Sequence, residues 1–313
     1  MNTMLFKYVI EVERTRSITQ AAENLFMAQP NLSKAIKELE QDLGFAIFQR
    51  TGRGMIPTPK GNEFLAHAHS IAAQLEKVEA MARPGREDSQ AFGISIPRGS
   101  YIARGFIRFA AELDSSKGID VTVQETNSVQ TIGDIAAGRF NLGIIRFQKD
   151  HERYFMDYLD EKQLLCDAIW EFEYLLLMSR DNPLAWERTI GRADLAPYTE
   201  IVHGDAVVPY LPASEPGRQK RDAATPLRRI SLYERFNQFE LLSAIKDMYM
   251  WVSPIPEDLL ERYGLVQRRC ADAGKVYRDM LVYPQGYQFT ALDKQFIDCL
   301  YASKNEVSLK EYR

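Results

Sequence analysis

The chain has 313 residues, of which 45% are hydrophobic and 26% charged, with a net charge of −4 and three cysteines. This is an ordinary globular mix, long enough for one to three domains, and it excludes disordered, collagen-like and disulfide-framework classes. Lys7, Glu11, Glu13 and Arg14 break any apolar leader, and no run approaches the ~20 apolar residues of a membrane span. The expectation is therefore a cytoplasmic protein without a membrane partner. Charge is unevenly spread: residues 1–60 hold eight Lys and Arg against six acids, and the other 253 hold 31 against 37. A mildly basic head on an acidic body suits a protein that grips DNA at one end, with a dimer supplying the affinity.

Met4, Leu5, Tyr8, Val9 and Val12 predict a first helix. Ile18, Ala21, Ala22 and Leu25 fall on one face of a second, with Ser17 and Gln20 spaced as a capping box. After a tight connection at 26–28, a third helix opens at Pro30 and stops at Gly44. Its apolar stripe is Leu32, Ala35, Ile36, Leu39 and Leu43. Its other face carries Asn31, Ser33, Lys34, Lys37 and Gln41. That is a helix-turn-helix whose second helix is polar and basic near its start, as the major groove requires. Two helices of a plain α-helical core would show the same periodicity. A strand at 45–49, a turn at 51–54 and a return at 55–57 make a β-wing. Arg50 and Arg53 at its tip are placed to meet phosphates; solvated turn charge is the other reading.

Thr58 and Pro59 open a long helix that runs to about Ala82. Phe64, Ala68, Ile71, Leu75, Val78 and Ala82 form a heptad seam along about 35 Å, as on a helix that pairs with a partner. A core helix of the same domain is the alternative. Residues 83–89 carry Pro-Gly punctuation and read as a hinge. Strands at 92–97, 119–126 and 142–147 then alternate with helices at 102–113 and 129–137, which predicts a parallel sheet with helices on its faces. A helix at 151–163 and strands at 164–169 and 174–178 follow. The remainder reads as strands at 200–203, 227–233, 250–253 and 276–283 and helices at 236–246, 256–263 and 290–301. A Pro-rich loop covers 208–226.

Ligands of open parallel sheets sit beyond the carboxyl ends of strands. Three such loops stand out: Arg98, Gly99, Ser100 and Tyr101; Thr126, Asn127 and Ser128; and His203 with Gly204. Arg98 is the only cation among them. A positive charge at a helix start opposes the helix dipole, so Arg98 predicts an anionic ligand such as a carboxylate. Ordinary capping by Ser and Asn is the competing reading. His67 and His69 lie two apart on different helix faces, so no metal site is expected. Cys166 and Cys270 fall near the two expected chain crossings, where they are either a redox pair or inert thiols. The chain has no P-loop, G-x-G-x-x-G, G-x-S-x-G or H-E-x-x-H motif. Neither a cofactor nor an enzymatic activity is expected.

Ala21-Ala22-Glu23, Leu25, Gln29-Pro30, Leu32-Ser33-Lys34, Ile36, Leu39-Glu40, Leu43-Gly44, Phe48, Arg50, Thr58 and Gly61 together resemble the N-terminal domain of the LysR-type transcriptional regulators. The resemblance covers about the first 65 residues without gaps. It implies an α/β chain with a winged helix-turn-helix at 1–58, a linker and dimerisation helix at 59–82 and a hinge at 83–90. A two-lobed Rossmann-like effector domain, of the periplasmic-binding-protein type, would fill 91–313. Lobe I would take about 91–165 and 269–302, and lobe II about 166–268. DNA contacts would come from Thr19, Gln29, Pro30, Asn31, Ser33, Lys34, Lys37, Arg50 and Arg53. Linker helices would pair in antiparallel fashion, giving a homodimer or homotetramer. The implied partners are promoter DNA, a small-molecule effector and RNA polymerase; a regulator with no ligand response is the alternative. The resemblance is looser after the linker. Asn141 stands where the family usually has Asp, and Met248-Tyr249-Met250-Trp251 replaces a Gly-x-Gly-Ile. A bulkier, more aromatic pocket follows from that replacement.

Overall fold

The structure is a computed structural model, and it describes residues 2–52, 54–81, 89–204, 228–233, 237–310 and 312. Arg53, most of the expected hinge and the Pro-rich loop lie outside the described residues. Contacts divide the chain into two compact units. One holds Met1–Ser89 with Gly133–Asn141, the other Gln90–Ile132 with Leu142–Arg313.

The first unit opens with three helices: α1 (Met4–Thr15), α2 (Ile18–Asn24) and α3 (Gln29–Leu43). Strands β1 (Phe48–Thr51) and β2 (Gly54–Pro57) form the wing, and α4 (Pro59–Met81) follows. The periodic apolar positions meet in one core: Val9, Val12, Ala21, Ala22, Leu32, Ile36 and Leu39 are all buried there. At the start of α2 only half of the expected capping box forms. Ser17 Oγ accepts from Gln20 N at 3.3 Å, but the Gln20 amide donates to Glu23 and Asn24. Ser17 N donates instead to Thr15 Oγ1, which removes the group that Gln20 would have capped. The first wing strand starts later than its sequence suggests. Glu40 Oε1 accepts from Ile47 N at 2.7 Å and from Phe48 N at 3.1 Å, so these N–H groups bind α3 before pairing begins. Helix α4 then presses on the same segment. A Cβ at Gly61 would stand 1.9 Å from Ile47 O, so only glycine fits.

The linker seam divides in two. Ala68 and its neighbour Leu65 are buried in the head's own core, and Phe64 stacks on Phe6 with centroids 6.2 Å apart. Ala68 is therefore corrected from an intersubunit to an intrachain contact. The reason is that α4 passes over α1, where His69 meets Glu13 at 2.7 Å and Lys7 meets Glu79 at 3.5 Å. Farther along, Ile71 is 39% and Val78 62% exposed.

The second unit contains β3 (Ser89–Ile96), α5 (Ser100–Ala111), β4 (Gly118–Glu125), α6 (Ser128–Ala136, shared with the first unit) and β5 (Leu142–Gln148). It continues through α7 (Glu152–Glu161), β6 (Leu164–Glu173), β7 (Leu175–Ser179), β8 (Thr199–His203) and β9 (Arg229–Leu232). The last elements are α8 (Gln238–Ala244), β10 (Met248–Val252), α9 (Glu257–Tyr263), β11 (Leu265–Arg268), β12 (Val276–Pro284) and α10 (Ala291–Ser308). Among the described residues these strands form two five-stranded sheets, ordered β4-β3-β5-β12-β6 and β11-β7-β10-β8-β9. These are the sheets of the two lobes.

Both sheets are mixed, where a parallel sheet was expected. β3 and β5 are parallel, as is β8 with β9 and β10. β12 is antiparallel to both β5 and β6, and β7 to both β10 and β11. These strands adjoin the places where the chain passes between lobes, and they enter without the crossover helix that parallel pairing needs. β7, buried at every position, lies between β11 and β10, so its sequence shows no alternation.

Three expected boundaries move. Ser89 and Gln90 belong to β3 rather than to a hinge. β6 stays paired with β12 as far as Glu173, so the first crossing is at Tyr174 and not near 166. Helix α10 reaches Ser308 rather than ending near 301, and it is begun by the reciprocal bonds of Thr290 and Asp293. The move of the first crossing separates the cysteines. Cys166 pairs across to Val282 in the first sheet, while Cys270 is buried with Leu176 and Met178 under the second. Burial, then a hydrogen bond to Asp272, pushes the Cys270 thiol up to about 11, so it stays protonated and unreactive at neutral pH.

Candidate functional site

Each unit carries one group of the residues singled out from the sequence. In the head, Gln29, Pro30, Asn31, Lys34 and Lys37 are exposed along α3, with Ser33 half-buried. The burial of Leu32, Ile36 and Leu39 on the opposite face turns these residues outward. Thr19 at the start of α2 and Arg50 in β1 are exposed too. Lys34 reaches Glu38 at 3.7 Å, both well exposed. Such a pair is weak and easily exchanged for a phosphate or a base edge.

In the second unit, the three loops are tied into the backbone more than the sequence suggested. Ser128 Oγ donates to Arg146 O at 2.7 Å and accepts from Arg146 N at 2.9 Å. Asn127 Oδ1 accepts from Gln130 N at 2.9 Å, an ordinary helix cap. Thr126 N donates to Ile96 O, and Gly204 N to Leu232 O, each at 2.9 Å. Gly99 caps α5 and Ser100 is its first residue. Arg98 and His203 are half-buried. The Tyr101 side chain is fully buried, and its hydroxyl donates to Asp279. It serves the core behind the first loop.

The strongest charge in the region is one that the sequence patterns did not single out. Arg146 projects from β5 and pairs with Asp279, on the neighbouring strand β12. The contact is bidentate, Nε to Oδ1 at 2.7 Å and Nη2 to Oδ2 at 2.6 Å. Arg146 and Asp279 are also register partners between the two strands. Arg146 Nη1 donates to Arg98 O and to Ser253 Oγ, each at 3.0 Å. The guanidinium also lies 4.9 Å over the Phe172 ring. Arg146 is 7% exposed and Asp279 0%, so this is a buried ion pair. Burial works against the Arg146 charge, but Asp279 outweighs it and holds the guanidinium firmly protonated. Burial, then the Asp279 charge, pushes the Tyr101 hydroxyl well up, so it remains a donor. Glycine at 99 is part of the arrangement: a Cβ there would stand 2.9 Å from Arg146 Nη2.

This network ties the lobes together. Arg146, Asp279 and Tyr101 belong to the first, and Ser253 follows β10 of the second. Arg104 pairs with Asp258, and Lys310 Nζ meets Glu257 Oε2 at 3.1 Å, both between the lobes. Tyr174 and Tyr277, where the chain crosses, stack 3.8 Å apart at 8°. An aromatic wall was expected from Met248 to Trp251, but the rings beside the guanidinium are Phe172, Tyr174 and Tyr277. Among the described residues, no group of three or more His, Cys, Asp or Glu is placed to hold a metal, and no helix is long and apolar enough to cross a membrane.

Comparison with known proteins agrees with this layout. Residues 4–62 match the family model described as bacterial regulatory helix-turn-helix protein, lysR family. The uncharacterized HTH-type transcriptional regulator YcgK of Bacillus subtilis is 29% identical over 157 residues. That match takes in 49% of this chain and 48% of YcgK, about half the relative's length. The HTH-type transcriptional regulator CysB of Burkholderia cenocepacia is 27% identical over 74% of this chain and 69% of its own. Among solved structures, full-length CbnR complexed with its target DNA superposes with a TM-score of 0.56 at 17% identity. It covers 97% of this chain and 100% of that one, a likeness of fold.

Proposed function

We propose that this chain, whose residues 4–62 match the lysR family model, is a LysR-type transcriptional regulator that binds operator DNA sequence-specifically under control of a small anionic effector. The observation that carries the DNA half is the exposed face of α3. Gln29, Pro30, Asn31, Ser33, Lys34 and Lys37 would meet base edges and nearby phosphates, while Thr19, Arg50 and Arg53 hold the backbone. The likeness to CbnR, which was solved in complex with its target DNA, supports the same use of the fold.

The effector half rests on the first loop. Arg98 stands at the start of α5, where an anion would be favoured both by its positive charge and by the N–H groups of the helix start. Arg146 cannot take that role without giving up Asp279. Arg98 with Ser100 and Thr126 would therefore hold a carboxylate, with Asn127, Ser128, His203 and Gly204 bordering it and Gly99 and Tyr101 offering N–H groups. A panel of small carboxylates and their uncharged amides, tested by thermal shift, finds the effector class. At about one hundred times its Kd, a true effector adds about 2.7 kcal/mol to stability. Arg98→Ala is expected to lose that shift while binding DNA as before. An uncharged compound that stabilises both proteins equally would refute the anionic reading.

The divided seam sharpens the expectation for assembly. The partner contact would lie on the later stretch of α4, through Ile71, Leu75 and Val78, in a homodimer or homotetramer that also engages RNA polymerase. Val78→Asp is expected to shift sedimentation toward monomer with the head still folded, because a charge would be buried in an apolar interface. Ala68→Asp is expected to unfold the head itself. Unchanged sedimentation of Val78→Asp would remove α4 as the pairing surface.

A further inference from the structure

The connection between α2 and α3 contains a residue whose position is costly in the free protein. Phe26 is 98% exposed, the most exposed large apolar side chain among the described residues. Its backbone is left-handed, with φ 52°. A lone exposed apolar residue needs no explanation. A bulky one held at positive φ does, since Gly or Asn would make the same turn without strain. The turn itself is fixed by its neighbours: Phe26 N donates to Glu23 O at 3.1 Å and Met27 N to Ala22 O at 3.0 Å. Leu25 and Met27 pack on the head core, which leaves the intervening side chain pointing out. Phe26 is three residues before Gln29, so it lies within about 10 Å of the first turn of α3. That turn presents the exposed residues assigned above to DNA.

We propose that Phe26 is a specificity residue whose ring packs on the C5-methyl group of a thymine at the edge of the half-site, next to the bases met by Gln29 to Lys34. Apolar contact with that methyl is an established way for a phenylalanine to read the major groove. The contact also removes the exposed ring from water, which accounts for an aromatic where Asn would suit the turn better. The proposal rests on the DNA-binding reading of α3, and its test separates the two.

Duplexes selected from a random pool by the wild-type protein are remade with deoxyuridine in place of each thymine in turn. One thymine per half-site is expected to lower wild-type affinity roughly fourfold when its methyl is removed. Phe26→Asn, which suits the left-handed turn, should keep or raise the melting temperature. It should bind the thymine duplex roughly tenfold more weakly, with an unchanged salt slope because no phosphate contact is lost. It should also be blind to deoxyuridine at that position. Equal sensitivity of both proteins at every thymine would overturn the proposal, and an undiminished affinity of Phe26→Asn would overturn it in favour of a protein partner. If the wild type selects no sequence at all, the DNA-binding reading fails and this one with it.

Discussion

Asp279→Ala is expected to destabilise the two-lobed unit by about 3–5 kcal/mol, the cost of leaving a buried charge without its partner. Arg146 cannot relax to solvent, because its Nη1 is held between Arg98 O and Ser253 Oγ and its plane lies over Phe172. Nor can it lose its proton at any ordinary pH. Replacing both charges by apolar residues of similar volume is expected to recover most of the loss, since an ion pair gains little over good packing once both desolvation costs are removed. Tyr101→Phe removes one hydrogen bond to a charged acceptor and should cost about 1.5–3 kcal/mol. Urea unfolding followed by the fluorescence of Trp170, which packs edge-on to Tyr101 at 5.4 Å, reports on this region. A single-variant loss below about 1 kcal/mol would mean that water reaches the pair, because solvated pairs contribute no more than that.

The residues of this network show what was legible in the sequence. Arg146 stands alone among apolar neighbours at 142–147, and Asp279 lies in the apolar-rich stretch 276–283. Each is visible as a charge in a buried strand. Their pairing is not, because 133 residues separate them and only the order of the sheet brings them opposite. The first crossing was misplaced for the same reason. β6 extends to Glu173 because β12 is there to pair with it, and nothing local announces that partner. By contrast, the helices of the head follow from their own residues. The stripe of α3, its start beside Pro30 and its stop at Gly44 are all local signals. Where local reading failed in the head, a nearby side chain had intervened: Thr15 at the α2 cap and Glu40 at the wing. The three candidate loops were chosen by topology, but Tyr101 and Ser128 are drawn into bonds with residues on distant strands.

The DNA reading makes the sharpest demand. Lys34 lies on the exposed early part of α3, and its ion pair is with the equally exposed Glu38. Lys34→Ala is expected to weaken binding to the selected operator by about 1–3 kcal/mol and to leave binding to scrambled DNA nearly unchanged. Arg50→Ala, in the wing, should weaken both alike and flatten the salt dependence, as the loss of a phosphate contact would. Titration of wild type and Lys34→Ala against operator and scrambled duplexes at one fixed salt concentration tests this directly. Strong preference for the operator in the wild type, reduced in Lys34→Ala, is the predicted result. Equal affinity of the wild type for both duplexes, or an unchanged preference in the variant, would contradict α3 as the surface that reads DNA.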